Sequence, residues 1–491
     1  MPENPGDIET NPFYYDILYG ALLHDIGKFF WRADKTQPSR YSKLSKEDVG
    51  LSGAHSKWSA EFFQTYLKGN LFEDVHNDII EALILYHHNP ESRQIKIDAI
   101  SQNNLKKLIQ VIQIADHASS GERIKREVEE DYGATRVEVL HSIFSNVKLE
   151  KRFSSESYYS LYPLTSGEHA REVLFPMKTR EEAYGKYASD TQPLYKQLYS
   201  DFISELELII KNLKKITFST LFNLLFKFTI NIPSATYVDI PDISLFDHLK
   251  TTVSIAACLF LDLIAESNNS LENLTEESIA NHKKKRYLLL EGNISGIQNF
   301  IYSISSKGAA KGLKGRSFFV QYLGELISKY LLDNLNLPTS CEIYCDGGNF
   351  YSIIPACYEE DLTRLSFKIK SNLYNMFKGD LFIDIRWVQF NRYNLLIEPE
   401  VEEPFSSLWD KINSLVGKEK FQRYNDILKQ SDGYNRIFSP QGVGGLENRI
   451  CSICKQEKYV IAEEEKCPLC KSFEQLTRDL INTKYILIMK L

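Results

Sequence analysis

The 491-residue chain contains no apolar run long enough to cross a bilayer. Its longest, Ser254 to Ala265 (SIAACLFLDLIA), falls short of the roughly 20 residues a spanning helix needs. No signal-peptide pattern opens the sequence. A membrane partner is therefore not expected, and the expected location is the cytoplasm. The chain also lacks an excess of basic charge: 58 Lys and Arg stand against 65 Asp and Glu, a formal net charge of -7. That balance argues against a protein that coats nucleic acid everywhere but leaves room for a local basic channel. There is no internal repeat. Cysteine is sparse, at eight residues, and a reducing compartment disfavours disulfides. What remains is ordinary globular material, 43% hydrophobic and 25% charged, enough for about two to four domains.

Half of that cysteine is concentrated near the end of the chain. Cys451 and Cys454, then Cys467 and Cys470, form a CxxC…CxxC pair with twelve residues between the halves. Each CxxC knuckle places two sulfurs on one side of a tight turn, and two knuckles complete the closed tetrahedral shell of a structural Zn²⁺. A closed shell does no chemistry; it braces. Cys258, Cys341, Cys345 and Cys357 read as buried or incidental thiols.

Along the chain the hydrophobic period changes, and the expected architecture is α+β and multidomain. Residues 1–180 carry apolar residues at helical spacing, as in Leu105, Leu108, Ile109 and Ile112. Residues 181–285 read as a helical extension, broken by a proline-containing loop near Pro233 and Pro241, and a polar linker. Strands and helices alternate over 286–400. A loop-rich linker with the cysteines fills 401–475, and NTKYILIMKL over the last residues reads as a strand just begun.

The amino-terminal helical region holds the catalytic constellation. YDILYGALLHDIGKFF (15–30) predicts an apolar-faced helix carrying His24 and Asp25 and stopping near Gly27. His55, the pair His87 and His88, and Asp116 follow, each at or near the end of a helical pattern. Asp116 lies one turn beyond Ile112 on the inward stripe, where an unpaired charge is costly and a metal would offset the cost. Neutral imidazoles with carboxylates suit Mn²⁺, Fe²⁺, Ni²⁺, Co²⁺ or Zn²⁺, and an open site lowers the pKa of a water that can attack phosphorus. The order HD, H, HH, D within one helical region resembles the HD phosphohydrolase superfamily, which implies that His24 and Asp25 are catalytic and that all six residues serve the metals. The sequence leaves open which of His87 and His88 is the better ligand.

The region from Arg286 predicts β-α-β-β-α-β with one extra helix, the ferredoxin-like order of cyclase and polymerase palms. Apolar CEIYCD (341–346) and FYSIIP (350–355) are joined through Gly347, Gly348 and Asn349, where glycine permits the positive φ of a tight turn. Palms of this kind hold two Mg²⁺ ions on acids after the first strand and in the hairpin. Here Asn293 and Asn349 stand at those places, so the palm is expected to be catalytically silent by itself. It could still bind ATP with Mg²⁺. The stretch SKGAAKGLKGRS (306–317) predicts a glycine-rich phosphate-binding loop with Lys311, Lys314, Arg316 and Ser317, opening onto a helix amino terminus.

Taken in order, LLHDIGKF, IADHASSGER, PDISLFDHLKTT (241–252), EGNISGIQNFIYSI (291–304), LKGRSFF (313–319), GGNFY (347–351) and the cysteine quartet resemble the large, Csm-type subunit of type III-A CRISPR interference complexes. The likeness runs over almost the whole chain. It implies an HD domain that cuts single-stranded DNA, a first palm contributing to ATP binding for cyclic oligoadenylate synthesis, and a second palm with G-G-D-D acids. It also implies other Csm-type subunits, crRNA and target RNA as partners. The chain ends at Leu491 before that second palm, as a truncated or split version or a fragment would, so a separate second-palm chain is a possible partner, and the chain alone is expected to make no cyclic oligoadenylate. Two other readings compete: a scaffold subunit without turnover, and an HD phosphohydrolase acting on small nucleotides.

Overall fold

A computed structural model of the chain describes residues 11–483, except 37, 51–52, 93–96, 98–99, 122–138, 147, 150–151, 154–155, 166–169, 237–239, 305–308, 397–402, 440–449, 458–459 and 461–464. The carboxy-terminal residues 484–491, read as the start of a second palm, lie outside the described residues. Two compact units share the chain. One is built from Glu9–Arg286 with Asn391–Pro404, the other chiefly from Tyr287–Phe390 with the chain from Phe405 onward.

The first unit is helical. Helices α1 (Tyr14–Leu23), α2 (Gly27–Ala33), α3 (Ser56–Phe62), α4 (Asn77–Tyr86) and α5 (Gln102–Ser119) pack with α6 (Gln192–Leu213), α7 (Phe218–Thr229) and α8 (Leu245–Glu266). The predicted single helix over 15–30 is instead two. Helix α1 ends at Leu23, the His24-Asp25-Ile26 turn follows, and Gly27 starts α2 rather than stopping α1. The reason is packing: a Cβ on Gly27 would lie 2.1 Å from the His55 carbonyl oxygen, so only glycine lets the start of α2 meet the start of α3. The Ser59 hydroxyl seals that contact, accepting from Gly27 N–H at 2.8 Å and donating to the His24 carbonyl at 2.9 Å.

Helix α8 starts where Ser244 caps the Asp247 N–H at 2.9 Å. It runs 22 residues, longer than its apolar run suggests, and by length and composition alone it could span a bilayer. In the fold, 78% of its most apolar window is buried, because α1 and α5 pack along it. It is a core helix of the bundle.

The second unit is built on a four-stranded sheet. Strands β1 (Lys285–Ser295), β2 (Glu342–Asp346), β3 (Asn349–Pro355) and β4 (Phe382–Asn391) lie in the order β2-β3-β1-β4, the ferredoxin-like arrangement. Leu288, Leu289 and Leu290 of β1 are all buried, so both faces of the central strand are covered. That explains why its sequence is an apolar run rather than an alternation. The hairpin turn is Gly347-Gly348, with φ of 62° and 86°, and Asn349 already belongs to β3. Helices α9 (Ile297–Tyr302), α10 (Ala309–Asn334) and α11 (Glu359–Phe377) supply the crossovers.

Two expectations need correction. Residues 309–317 form the first turns of the 26-residue α10, not a loop; 306–308 lie outside the described residues. The segment after 401 is less loop-rich than expected: α12 (Phe405–Glu419) sets Phe405 and Trp409 against Phe390 and Tyr351 of the sheet. The chain then reaches α13 (Pro468–Asn482), which carries Cys470.

Candidate functional site

The helical unit gathers the histidines and acids at one place. His24 and Asp25 occupy the α1–α2 turn, His55 precedes α3, His87 and His88 follow α4, and Asp116 lies in the last turn of α5. Two groups form around a shared residue: Asp25, His55, His87 and His88 in one, and His24, Asp25, Asp116 and His248 in the other. Within each, one ligand atom per residue lies within 4.8 Å of the others.

Helix carbonyls fix the imidazoles. His24 Nδ1–H donates to the Ala21 carbonyl at 2.7 Å, and His87 Nδ1–H to the Ile84 carbonyl at 2.8 Å. Each leaves Nε2 as the free lone pair, the orientation metal-binding histidines require. His87 Nε2 and His88 Nε2 are buried and have no hydrogen-bond partner, whereas His55 Nε2 lies 2.5 Å from Asp25 Oδ1 and His24 Nε2 3.5 Å from Asp116 Oδ1. Buried polar atoms without partners are costly, and two imidazole nitrogens left so beside the Asp25 carboxylate fit a cation centre. The structure places both His87 and His88 in the first group, where sequence had left the choice open.

The charges agree with the geometry. Burial pushes His87 well below the ordinary imidazole value, and pushes His88 down to about 4. Burial also lowers His55, against the pull of Asp25. Burial opposes ionisation of Asp25, but Lys28, His55, His24 and a hydrogen bond from His248 outweigh it and hold the carboxyl well down. Asp116 is likewise penalised by burial yet held well down by hydrogen bonds from His24 and His248. For His24 burial is outweighed by Asp25 and Asp116, and its value rises. Neutral imidazoles at His55, His87 and His88 beside ionised Asp25 and Asp116 are a donor set for a divalent transition metal, which His24 joins on giving up its proton.

His248 was missed by sequence reasoning. It lies on α8, 223 residues after Asp25, with Nε2 at 3.0 Å from Asp25 Oδ2 and 3.2 Å from Asp116 Oδ1. Ser119 Oγ sits 3.0 Å from its Nδ1. The one signal was the Asp247-His248 dyad opening an apolar helix, a second acid-histidine step like that of residues 24 and 25. His76 is elsewhere, paired with Asp16 at 2.8 Å, and His117 is exposed.

The palm presents a contrast. Asn293 and Asn349 face each other across β1 and β3, and Asn293 Nδ2 donates to Asn349 Oδ1. Asp346 is exposed and accepts from Gly347 N–H at 2.6 Å. Lys311, Lys314 and Ser317 are exposed on α10. Arg316 is not: it is buried at 3% exposure beside the cysteines. The thiols of Cys451, Cys454, Cys467 and Cys470 form a third cluster of possible ligands, three of them buried. Cys467 is pulled down to about 3 by hydrogen bonds from Cys454 and Cys470.

Known proteins resemble both units. The HD domain family matches residues 14–121, and the family described as Csm1 subunit domain B matches residues 286–438. The single-strand-specific deoxyribonuclease Cas10/Csm1 of subtype III-A from Methanocaldococcus jannaschii is 32% identical, over 96% of this chain and 58% of its own length. That from Streptococcus thermophilus is 24% identical, over 96% of this chain and 57% of its own. The chain thus spans under three-fifths of these relatives. Among solved structures, Csm1 of T. onnurineus has the same fold at a TM-score of 0.60 and 22% identity, covering 84% of this chain and 50% of that one. A Csm1-Csm4 cassette in complex with one ATP has a TM-score of 0.59 at 19% identity, covering 86% and 50%.

Proposed function

Because the chain belongs to the Cas10/Csm1 family of type III-A CRISPR large subunits, we propose that its helical unit is a metal-dependent nuclease that cuts single-stranded DNA. The observation that carries this reading is Asp25, whose two carboxylate oxygens face two ligand groups at once. Divalent ions held there would supply Lewis-acid stabilisation of a phosphodiester and lower the pKa of the attacking water. His55, His87 and His88 would hold one ion, and His24, Asp116 and His248 the other, with Asp25 between them. Mn²⁺, Ni²⁺ and Co²⁺ suit this mixed nitrogen and oxygen set. Lys28 Nζ, 2.5 Å from Asp25 Oδ2, balances part of the carboxylate charge.

The four cysteines are proposed to hold a structural Zn²⁺. The palm is proposed to contribute half of an ATP site, with Lys311, Lys314, Ser317 and the Gly347-Gly348-Asn349 turn as its candidates. Its amides at 293 and 349 cannot neutralise Mg²⁺, so cyclic oligoadenylate synthesis would need the acids of a second palm. A Csm4-type subunit is proposed as a partner, as in the solved cassettes, and other Csm-type subunits, crRNA and target RNA are proposed beside it.

The test is cleavage of labelled single- and double-stranded DNA with Mn²⁺, Ni²⁺ or Co²⁺, alongside a panel of small nucleotides. His24→Ala with Asp25→Ala should abolish single-strand cutting while circular dichroism stays unchanged. Cutting that survives the double substitution removes the assignment, and preferential turnover of a free nucleotide replaces it with a small-molecule phosphohydrolase. Cyclic product from this chain alone with ATP would overturn the silent palm.

A further inference from the structure

We infer that Arg316 is the counter-cation of the four-cysteine site, tying the charge of a bound metal to the packing of helices α9, α10 and α13. The inference rests on the metal reading of the quartet. Arg316 is 3% exposed. Its guanidinium donates to the carbonyl oxygens of Phe300 and Ser303, to Ser303 Oγ at 3.1 Å, and to Cys470 Sγ at 3.4 Å. It lies over the rings of Phe300 and Phe473, at 5.0 and 5.7 Å. Among the described residues no carboxylate pairs with it.

A guanidinium cannot shed its proton, and a buried cation without an anion costs several kcal/mol. Carbonyls and rings offer dipoles but no net charge. Four protonated thiols offer none either. Four thiolates around one divalent ion carry a net charge of about minus two, the anion this position otherwise lacks. Cys470 would be the acceptor through which Arg316 meets that charge, as outer-shell donors do at thiolate sites. Cys467 N–H adds a second donor, to Cys451 Sγ at 3.2 Å.

The position is built for this approach. A Cβ on the adjacent Gly315 would lie 2.1 Å from the Phe473 carbonyl oxygen, so glycine lets α13 lie directly on α10. Thr477 Oγ1 donates to the Lys311 carbonyl at 2.6 Å one turn away. Arg316 then reaches from α10 to the last carbonyls of α9 on one side and to Cys470 on the other. Loss of the metal leaves its charge uncompensated and should loosen α9 and α13 together.

The test uses the full chain with Co²⁺, whose thiolate charge-transfer band reports the cysteine site alone. Arg316→Met should weaken Co²⁺ binding about 10- to 100-fold and shift the band, with Arg316→Lys recovering part of both. In the wild type, chelation should speed amide exchange over Ile297–Tyr302. Wild-type affinity in the Met variant overturns the inference, as does unchanged exchange after chelation, which decides the matter if that variant fails to fold. Absence of any thiolate band in the wild type removes the quartet's metal and this inference with it.

Discussion

The two candidate sites treat their polar groups in opposite ways. In the helical unit, His87 and His88 each bury an Nε2 without a partner beside Asp25, and the folded chain leaves them so. In the palm, the corresponding polar positions satisfy each other: Asn293 donates to Asn349, and Asp346 turns out to cap its own hairpin. Unpaired buried polar atoms are tolerated where a ligand completes them, and neutral amides need no ligand. The helical site thus presents donors that a divalent ion would complete, whereas the palm presents amides where acids would hold Mg²⁺.

The contrast can be broken at several points. The largest effect belongs to Asp25→Ala, which takes one oxygen from each ligand group; metal-dependent DNA cleavage should fall about 10³-fold or more, read as kcat/KM on a single-stranded substrate. Residual cleavage within tenfold of wild type would mean the pocket is not the reaction centre. His248→Ala should weaken metal binding about 10- to 100-fold by calorimetry, because α8 then contributes no donor. Equal affinity would confine the centre to residues 24–116.

Turning the palm into the other kind of site is the converse test. Asn293→Asp with Asn349→Asp sets two carboxylates face to face, and should lower stability by about 1–3 kcal/mol in urea melts, with Mg²⁺ restoring much of it. A melt indifferent to Mg²⁺ would show that amides were not what closed the palm.

Proton linkage offers a smaller effect. The raised His24 must give up its proton to bind a metal, whereas buried His87 and His88 are already neutral near pH 6. Metal affinity should therefore rise with pH, by at most about tenfold per unit while His24 titrates. A flat profile would contradict the protonated His24.

The smallest effect lies in the palm core, where burial, partly offset by Lys370, raises Asp384 to about 7. The folded value is above the unfolded one, so the unfolded chain ionises first: the contribution of Asp384 to stability is highest below about pH 4, declines as pH rises, and levels off above 7. Asp384→Asn should flatten melting temperature across that window, and an unchanged slope would place the titration elsewhere.

How much of this was legible in sequence follows from how local each signal is. A CxxC knuckle, a histidine-aspartate step and a strand-turn-strand with two glycines are written within a few residues, so the quartet, His24 with Asp25, and the β2–β3 hairpin could be read directly. The break between α1 and α2 could not, because it depends on the His55 carbonyl arriving against Gly27. Helix α10 swallowed a glycine-rich stretch that local rules assign to a loop, since α13 presses on Gly315 and stabilises the helix from outside.

Sequence by itself determined the chemistry on offer: which side chains can bind metals, which palm positions lack acids, and in what order the units come. Tertiary structure alone decided assignments made at long range. It brought His248 to Asp25 across 223 residues, and it turned Arg316 away from solvent toward Cys470, 154 residues on. The physical reason is the same in both cases. A buried charge or lone pair takes whatever partner the packed core delivers, and spacing along the chain carries no record of that delivery.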